Sequence, residues 1–248
     1  MSSPTVQTPE SVEGSNSFSR IFGVLFSPKA TFESIARRPT WLLPLVLLCI
    51  AESAIVGVYG HRVGWRSLIE KQLTNNSQFQ SLSPAEQESR IQIALKYAPP
   101  IAYTEVILGP FLVAVILAGV FWLIFNMAVG AKIGFRLSLA VVSYALVPGI
   151  FLSLVGVLIL YLKDPSTVDL QHLIASNAGA FVSSDSSKWL VALLSSIDLF
   201  VFWEMILLAF GFSAAAPKKV SFGGAFAWIS VLWLLVVMIR VGFAAAFS

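Results

Sequence analysis

At 248 residues, 57% apolar and only 12% charged, with a strongly positive mean hydropathy, the chain is not an ordinary soluble domain. Its formal net charge of +3 forms no basic stripe, so a nucleic-acid partner is not expected. Its apolar runs are continuous where a membrane β-barrel would alternate apolar with polar residues, and the expected class is an all-α, polytopic membrane helix bundle in contact with the lipid bilayer.

Residues 1–17 are polar, hold two glutamates and no Lys or Arg, and read as a disordered tail and not as a cleaved signal peptide; 18–248 form the expected membrane domain. Phe18, Ile21, Phe22 and Leu25 recur at helical spacing beside Arg20. Ser27-Pro28 then offers a cap and a first-turn proline for a second short helix, with Phe32, Ile35 and Ala36 on one side, that ends at Arg37-Arg38-Pro39. The pair, 18–38, reads as interfacial, with Arg20, Lys29, Arg37 and Arg38 free to dock on anionic lipid or a cytosolic partner.

The first span is expected at 41–59, with aromatic residues at both ends. Between His61 and Pro100 the spacing predicts two amphipathic helices lying against the bundle or the membrane surface. One presents Trp65, Leu68, Ile69 and Leu73, the other Ile91, Ala94, Leu95 and Ala98 after a capping box at Ser83-Pro84-Ala85-Glu86. Spans two and three, 101–129 and 137–162, are joined by a link too short for anything but an antiparallel hairpin, and contain Gly109-Pro110 and Pro148-Gly149. A polar loop from Lys163 to Ser187 precedes spans four and five at 189–212 and 222–247, making about five transmembrane helices.

Basic residues near span ends favour the cytoplasmic side. Arg20, Lys29, Arg37 and Arg38 before span one, Lys132 and Arg136 between spans two and three, and Lys218 and Lys219 between spans four and five place the N-terminus inside and the C-terminus outside. The long 61–100 loop, with Arg62, Arg66, Lys71, Arg90 and Lys96, dissents.

Ionisable groups inside apolar spans cost at least ~2.5–3.5 kcal/mol each on insertion scales, so they carry the sharpest functional signal. They are Glu52, Asp198, Glu204 and Arg240, with Glu105 near the outer end of span two. Rise per residue puts Arg240 between Glu105 and Glu52 in depth, which predicts that it pairs with one of them, and puts Asp198 deeper. Asp198 and Glu204 are six residues apart, about 240° around a helix, and are not expected to share a face. Glu52 and Asp198 either line a proton or cation path or clamp the bundle structurally. Inside the membrane Tyr144 is placed to hydrogen-bond between helices, with Pro148 kinking the third span; Asn126 is a further polar position there.

His61 and His172 lie in separate loops without a cysteine partner, no His-Glu-x-x-His or Gly-x-Ser-x-Gly run occurs, and neither metal, cofactor nor catalytic residues are expected. The lone Cys49 allows no intrachain disulfide. Small residues four apart, Ala114 with Ala118 and Gly223 with Ala227, permit close helix contact within the bundle or between copies, and leave homo-oligomerisation open.

The stretch Gly130-Ala-Lys132-Ile-Gly134-Phe135-Arg136, followed by Ser143-Tyr144-Ala145-Leu146-Val147-Pro148, resembles the central signature of the Yip family, named in eukaryotes for interaction with Ypt/Rab GTPases. Phe26-Ser27-Pro28 with Thr31, Phe32 and Ile35, and Arg38-Pro39-Thr40-Trp41, resemble the opening of short prokaryotic members. Ala175-Ser176-Asn177 with Phe181, and Ser195-Ser196-Ile197-Asp198 with Phe200 and Trp203, extend the likeness. The resemblance implies a five-helix membrane core, family positions at Lys132, Phe135, Tyr144, Pro148 and Trp203, and vesicle traffic in the eukaryotic relatives. The tail is shorter than the cytosolic region expected of those relatives, which points to a prokaryotic plasma-membrane protein. The expected function is a non-catalytic membrane-organising or protein-interaction role, with membrane or cytosolic protein partners. The alternative is a small transporter or ion-conducting protein using Glu52, Glu105, Asp198 and Arg240.

Overall fold

A computed structural model describes residues 16–74, 76–164, 173–183 and 186–246. The expected tail lies almost wholly outside the described residues, as does His172. Among the described residues helices dominate, and four of them (Leu42–Thr74, Pro84–Ala128, Phe135–Leu162 and Phe222–Ala246) are long and apolar enough to cross a membrane.

Helix α1, Ser17–Phe26, turns at Ser27 into α2, Pro28–Arg37, with Pro28 in the first turn, where a missing N–H costs nothing. Ser27 makes no side-chain cap; its carbonyl instead accepts from the Thr31 amide and hydroxyl. The two helices do not simply rest on a surface. Ile21, Val24, Phe32 and Ile35 are buried in the main core, where α2 packs on later helices at 135–145 and 199–215.

Helix α3, Leu42–Tyr59, runs through a π-helical turn, Gly60–Gly64, into α4, Trp65–Thr74. A single turn, α5 at Ser77–Gln80, leads to α6, Pro84–Leu123. The capping box forms as expected: Glu86 N–H donates to Ser83 Oγ, while Ser83 N–H donates to Glu86 Oε2 at 2.9 Å. The expected division between a second amphipathic helix and span two does not exist, because α6 passes through Pro99-Pro100 unbroken for 40 residues. At ~1.5 Å per residue it is about twice as long as the hydrocarbon core is thick, so its first turns project beyond the membrane. The two predicted amphipathic faces meet each other there, burying Ile69, Phe79 and Ile91 against Trp65, Leu73 and Leu95.

A second π turn, Ile124–Ala128, and the hairpin loop lead into α7, Phe135–Ala145. After a break at Leu146 comes α8, Val147–Leu162, with Pro148 in its first turn, as a kinked third span requires. The fourth span differs from expectation, being two helices: α9, Lys188–Ser195, and α10, Leu199–Ala215. Helix α11, Phe222–Ala246, closes the bundle.

Helix α3 packs on α6 and α8, and α10 packs on α2, α7 and α11. The core centres on Phe121, Phe125 and Phe212, with the rings of Phe125 and Phe212 stacked at 4.5 Å. Ala114 and Ala118 are fully buried, and the Ala118 carbonyl accepts from Ser138 Oγ at 2.8 Å, so this small pair works inside the bundle. Gly223 and Ala227 lie on the exposed side of α11.

Candidate functional site

Three of the five intramembrane ionisable residues converge. Glu52 from α3, Glu105 from α6 and Glu204 from α10 line one cavity of about 510 Å³. The remaining wall is largely apolar, with Leu48, Val106, Val113 and Leu152, and Ser153 adds a hydroxyl. The broken third span contributes Leu146 and Gly149, and α6 contributes Gly109 and Pro110. A Cβ at Gly109 would meet no atom within 4 Å, so that face of the helix borders open space. Glu52 and Glu204 are partly exposed and Glu105 is exposed. The sequence marks each acid as costly, but their meeting depends on helix packing that single-helix periodicity does not encode.

Asp198 belongs elsewhere. It is not on a helix face deep in a span but caps α10, its Oδ1 accepting from the amides of Phe200 at 2.8 Å and Val201 at 3.2 Å. Its Oδ2 accepts from Ser176 Oγ in a short hydrogen bond. Asn177 and Asp198 form an isolated antiparallel bridge, in which Leu199 N–H donates to Ser176 C=O and Ala178 N–H to Ile197 C=O. The two sequence motifs at 175–177 and 195–198 are thus halves of one lock. Gly179 sits so close to Ser195 that a Cβ there would collide with its hydroxyl. Arg240 joins this layer by donating to Ser196 Oγ at 3.3 Å. The expected pairing of Arg240 with Glu105 or Glu52 is therefore overturned, because its guanidinium lies against the α9–α10 break and does not line the cavity.

Tyr144 is fully buried and reaches from α7 to the N-terminal segment, as an interhelical hydrogen-bonding role requires. Its hydroxyl donates to Ser17 C=O at 3.3 Å and lies 3.2 Å from Thr40 Oγ1. Arg20 needs correction as a docking residue. It is buried at 4% exposure, and its guanidinium donates to the carbonyls of Arg38 (2.8 Å) and Ser34 (3.3 Å) and to the hydroxyls of Ser34 and Thr40. Lys29, Arg37 and Arg38 do present exposed side chains. Alongside them Phe18, Phe22 and Phe26, four residues apart on α1, are 56%, 49% and 82% exposed.

In the 130–136 loop, Asn126 clamps Ile133, its amide donating to the Ile133 carbonyl at 2.9 Å and its Oδ1 accepting from the Ile133 N–H at 2.6 Å. Gly130 and Lys132 take positive φ of 68° and 58°. That turn leaves the Lys132, Phe135 and Arg136 side chains exposed. Trp203 is half-buried, its ring 6.2 Å from that of Phe200.

No curated protein and no solved structure matches this chain. A family model does match, that of the Yip1 domain, over residues 22–243. The match covers the second half of α1 and all of α2, the clamped hairpin, the Tyr144–Pro148 break and the lock at Asp198, and the chain therefore belongs to the Yip1 domain family of multi-pass membrane proteins.

Proposed function

We propose that this protein acts without catalytic turnover, as a membrane-organising or interaction protein in the plasma membrane of a prokaryote, with its N-terminus inside and its C-terminus outside. The observation that carries this reading is the surface of the N-terminal helix pair. Packing fixes α1 and α2 to the bundle through Phe32 and Ile35, while the Phe18, Phe22 and Phe26 stripe faces outward beside Lys29, Arg37 and Arg38. Apolar rings flanked by cations suit the headgroup layer of an anionic leaflet.

The test places a fluorophore on the full-length chain at Ser19→Cys, in a Cys49→Ala background, and reads quenching by shallow spin-labelled lipids in reconstituted vesicles. Quenching stronger in anionic than in neutral vesicles, and lost on changing Lys29, Arg37 and Arg38 to Gln, supports the reading. Equal quenching in both compositions overturns it.

A second reading, a small transporter or ion-conducting protein, is favoured by the convergence of Glu52, Glu105 and Glu204 on one cavity beside a broken third span. Asp198 and Arg240 drop out of this version because the lock engages them. It predicts a cation or proton flux in proteoliposomes that Glu204→Gln removes. Absence of flux under every imposed gradient would end it.

A further inference from the structure

We propose that the cavity between α3, α6, α8 and α10 is a binding site for a net-cationic amphiphile, a primary alkylammonium whose apolar tail comes from the bilayer. The inference rests on the cavity of the second reading above but requires no transport.

Three properties of the site select this ligand. Among the described residues Glu52, Glu105 and Glu204 have no hydrogen-bond or ion-pair partner and no basic side chain lines the cavity, so the site offers acceptors and no donor cation. Glu204 borders this space with its side chain only partly exposed. A carboxylate held in such a place without a partner calls for a donor from outside the chain.

Size and shape come next. Among the described residues no group of three His, Cys, Asp or Glu side chains is arranged to hold a metal ion. A volume of about 510 Å³ lies in the range of sites for organic molecules. Leu48, Val106, Val113 and Leu152 supply an apolar wall that a hydrated inorganic ion would not use. The guest thus has both an ammonium group and a hydrocarbon body.

Access and charge complete the choice. Glu105 is exposed and Val113 is 46% exposed, so the cavity opens along α6 toward the side facing lipid. An aminophospholipid would bring its phosphate among three carboxylates with no cation to receive it, which disfavours a zwitterionic headgroup.

The test uses the purified full-length chain in nanodiscs and a diazirine-bearing dodecylamine, with the matching diazirine dodecanol as control and crosslinks mapped by peptide mass spectrometry. The amine is expected to label cavity residues of α3 and α6, with labelling competed by dodecylamine and at least tenfold less by dodecanol or phosphatidylethanolamine. The triple change of Glu52, Glu105 and Glu204 to Gln is expected to raise the competing concentration at least tenfold. Glu105→Gln alone, at an exposed position, gives a smaller shift in the same direction without a folding risk. Gly109→Leu, which projects into open space, is expected to block labelling with the fold intact. Equal labelling by amine and alcohol, equal competition by phosphatidylethanolamine, or labelling unchanged in the Gln variants would each overturn the proposal. Selective amine binding without any flux would sink the transport reading alone; flux of inorganic cations without amine selectivity would sink this one alone.

Discussion

At Asp198 one carboxylate holds two pieces of chain together, accepting the first amides of α10 and the Ser176 hydroxyl. Replacing it by Ala should cost about 1–2 kcal/mol, the usual loss for an N-cap, whereas Asn, an equally good cap, should keep most of it. Amide exchange at Phe200 and Val201 checks this: fast in Asp198→Ala, near wild type in Asp198→Asn. Arg20 makes the complementary case, a buried cation that donates to the carbonyls of Ser34 and Arg38 and the hydroxyls of Ser34 and Thr40. Arg20→Leu removes the guanidinium donor from the Arg38 carbonyl and from the Ser34 and Thr40 hydroxyls and should destabilise the protein by about 1.5–3 kcal/mol, seen as a lower denaturation midpoint in detergent. Neither role was legible from sequence. The partner of Asp198 lies 22 residues upstream, and Arg20 shares its helix with an exposed phenylalanine stripe that made the whole segment look superficial. Asn126, by contrast, was visible as a polar residue in an apolar run, though its clamp on Ile133 was not.

Between elements, the α4–α6 contact adds charge to an apolar seam. Arg66 bridges Glu70 within α4 and Glu88 on α6, both at 2.7 Å. Glu88 sits in the early turns of α6, ahead of the membrane-spanning stretch, and its hydrogen bonds from Arg66 and then Gln92 hold its carboxyl down at about 2. A folded-state value below the ordinary one stabilises the contact above pH 4.5, and the contribution disappears as pH falls toward 2. Amide exchange across 65–98, corrected for intrinsic rate, should rise in that window, and Glu88→Gln should remove the pH dependence. A tighter constraint joins α10 to α7 and α2 at Gly211, where a Cβ would collide with Val141 and press on Phe32. Gly211→Val should therefore cost about 1–3 kcal/mol by overpacking and lower the thermal midpoint, while Gly223→Val on the open side of α11 should change little. At this scale much was legible. Apolar runs and the Ser83-Pro84-Ala85-Glu86 box located most helices, because span length and capping are local properties. The continuity of α6 through Pro99-Pro100 and the division of span four escaped, because both depend on what packs alongside.

For the molecule as a whole, the charge pattern predicts a topology that labelling can check. Cysteines at Lys219 and Lys163, in a Cys49→Ala background, should react with an impermeant thiol reagent from opposite sides, Lys219→Cys only after the membrane is opened. Reaction of both from the outside would overturn the assignment. The basic residues of the dissenting 61–100 segment have local uses: Arg62 donates to the Tyr161 carbonyl at 2.7 Å and Arg66 is ion-paired. The class of the fold followed from composition, but the cavity did not, since its three acids come from helices that only the assembled bundle brings together. The divided fourth span bears on how the chain is made. Helix α9 has 8 residues and α10 has 17, about 26 Å, at the short end of what crosses the hydrocarbon core. Ser176 precedes Asp198 in the chain and Arg240 follows both, so vectorial synthesis lets the Ser176–Asp198 contact form before the Arg240–Ser196 bond that ties α11 to it.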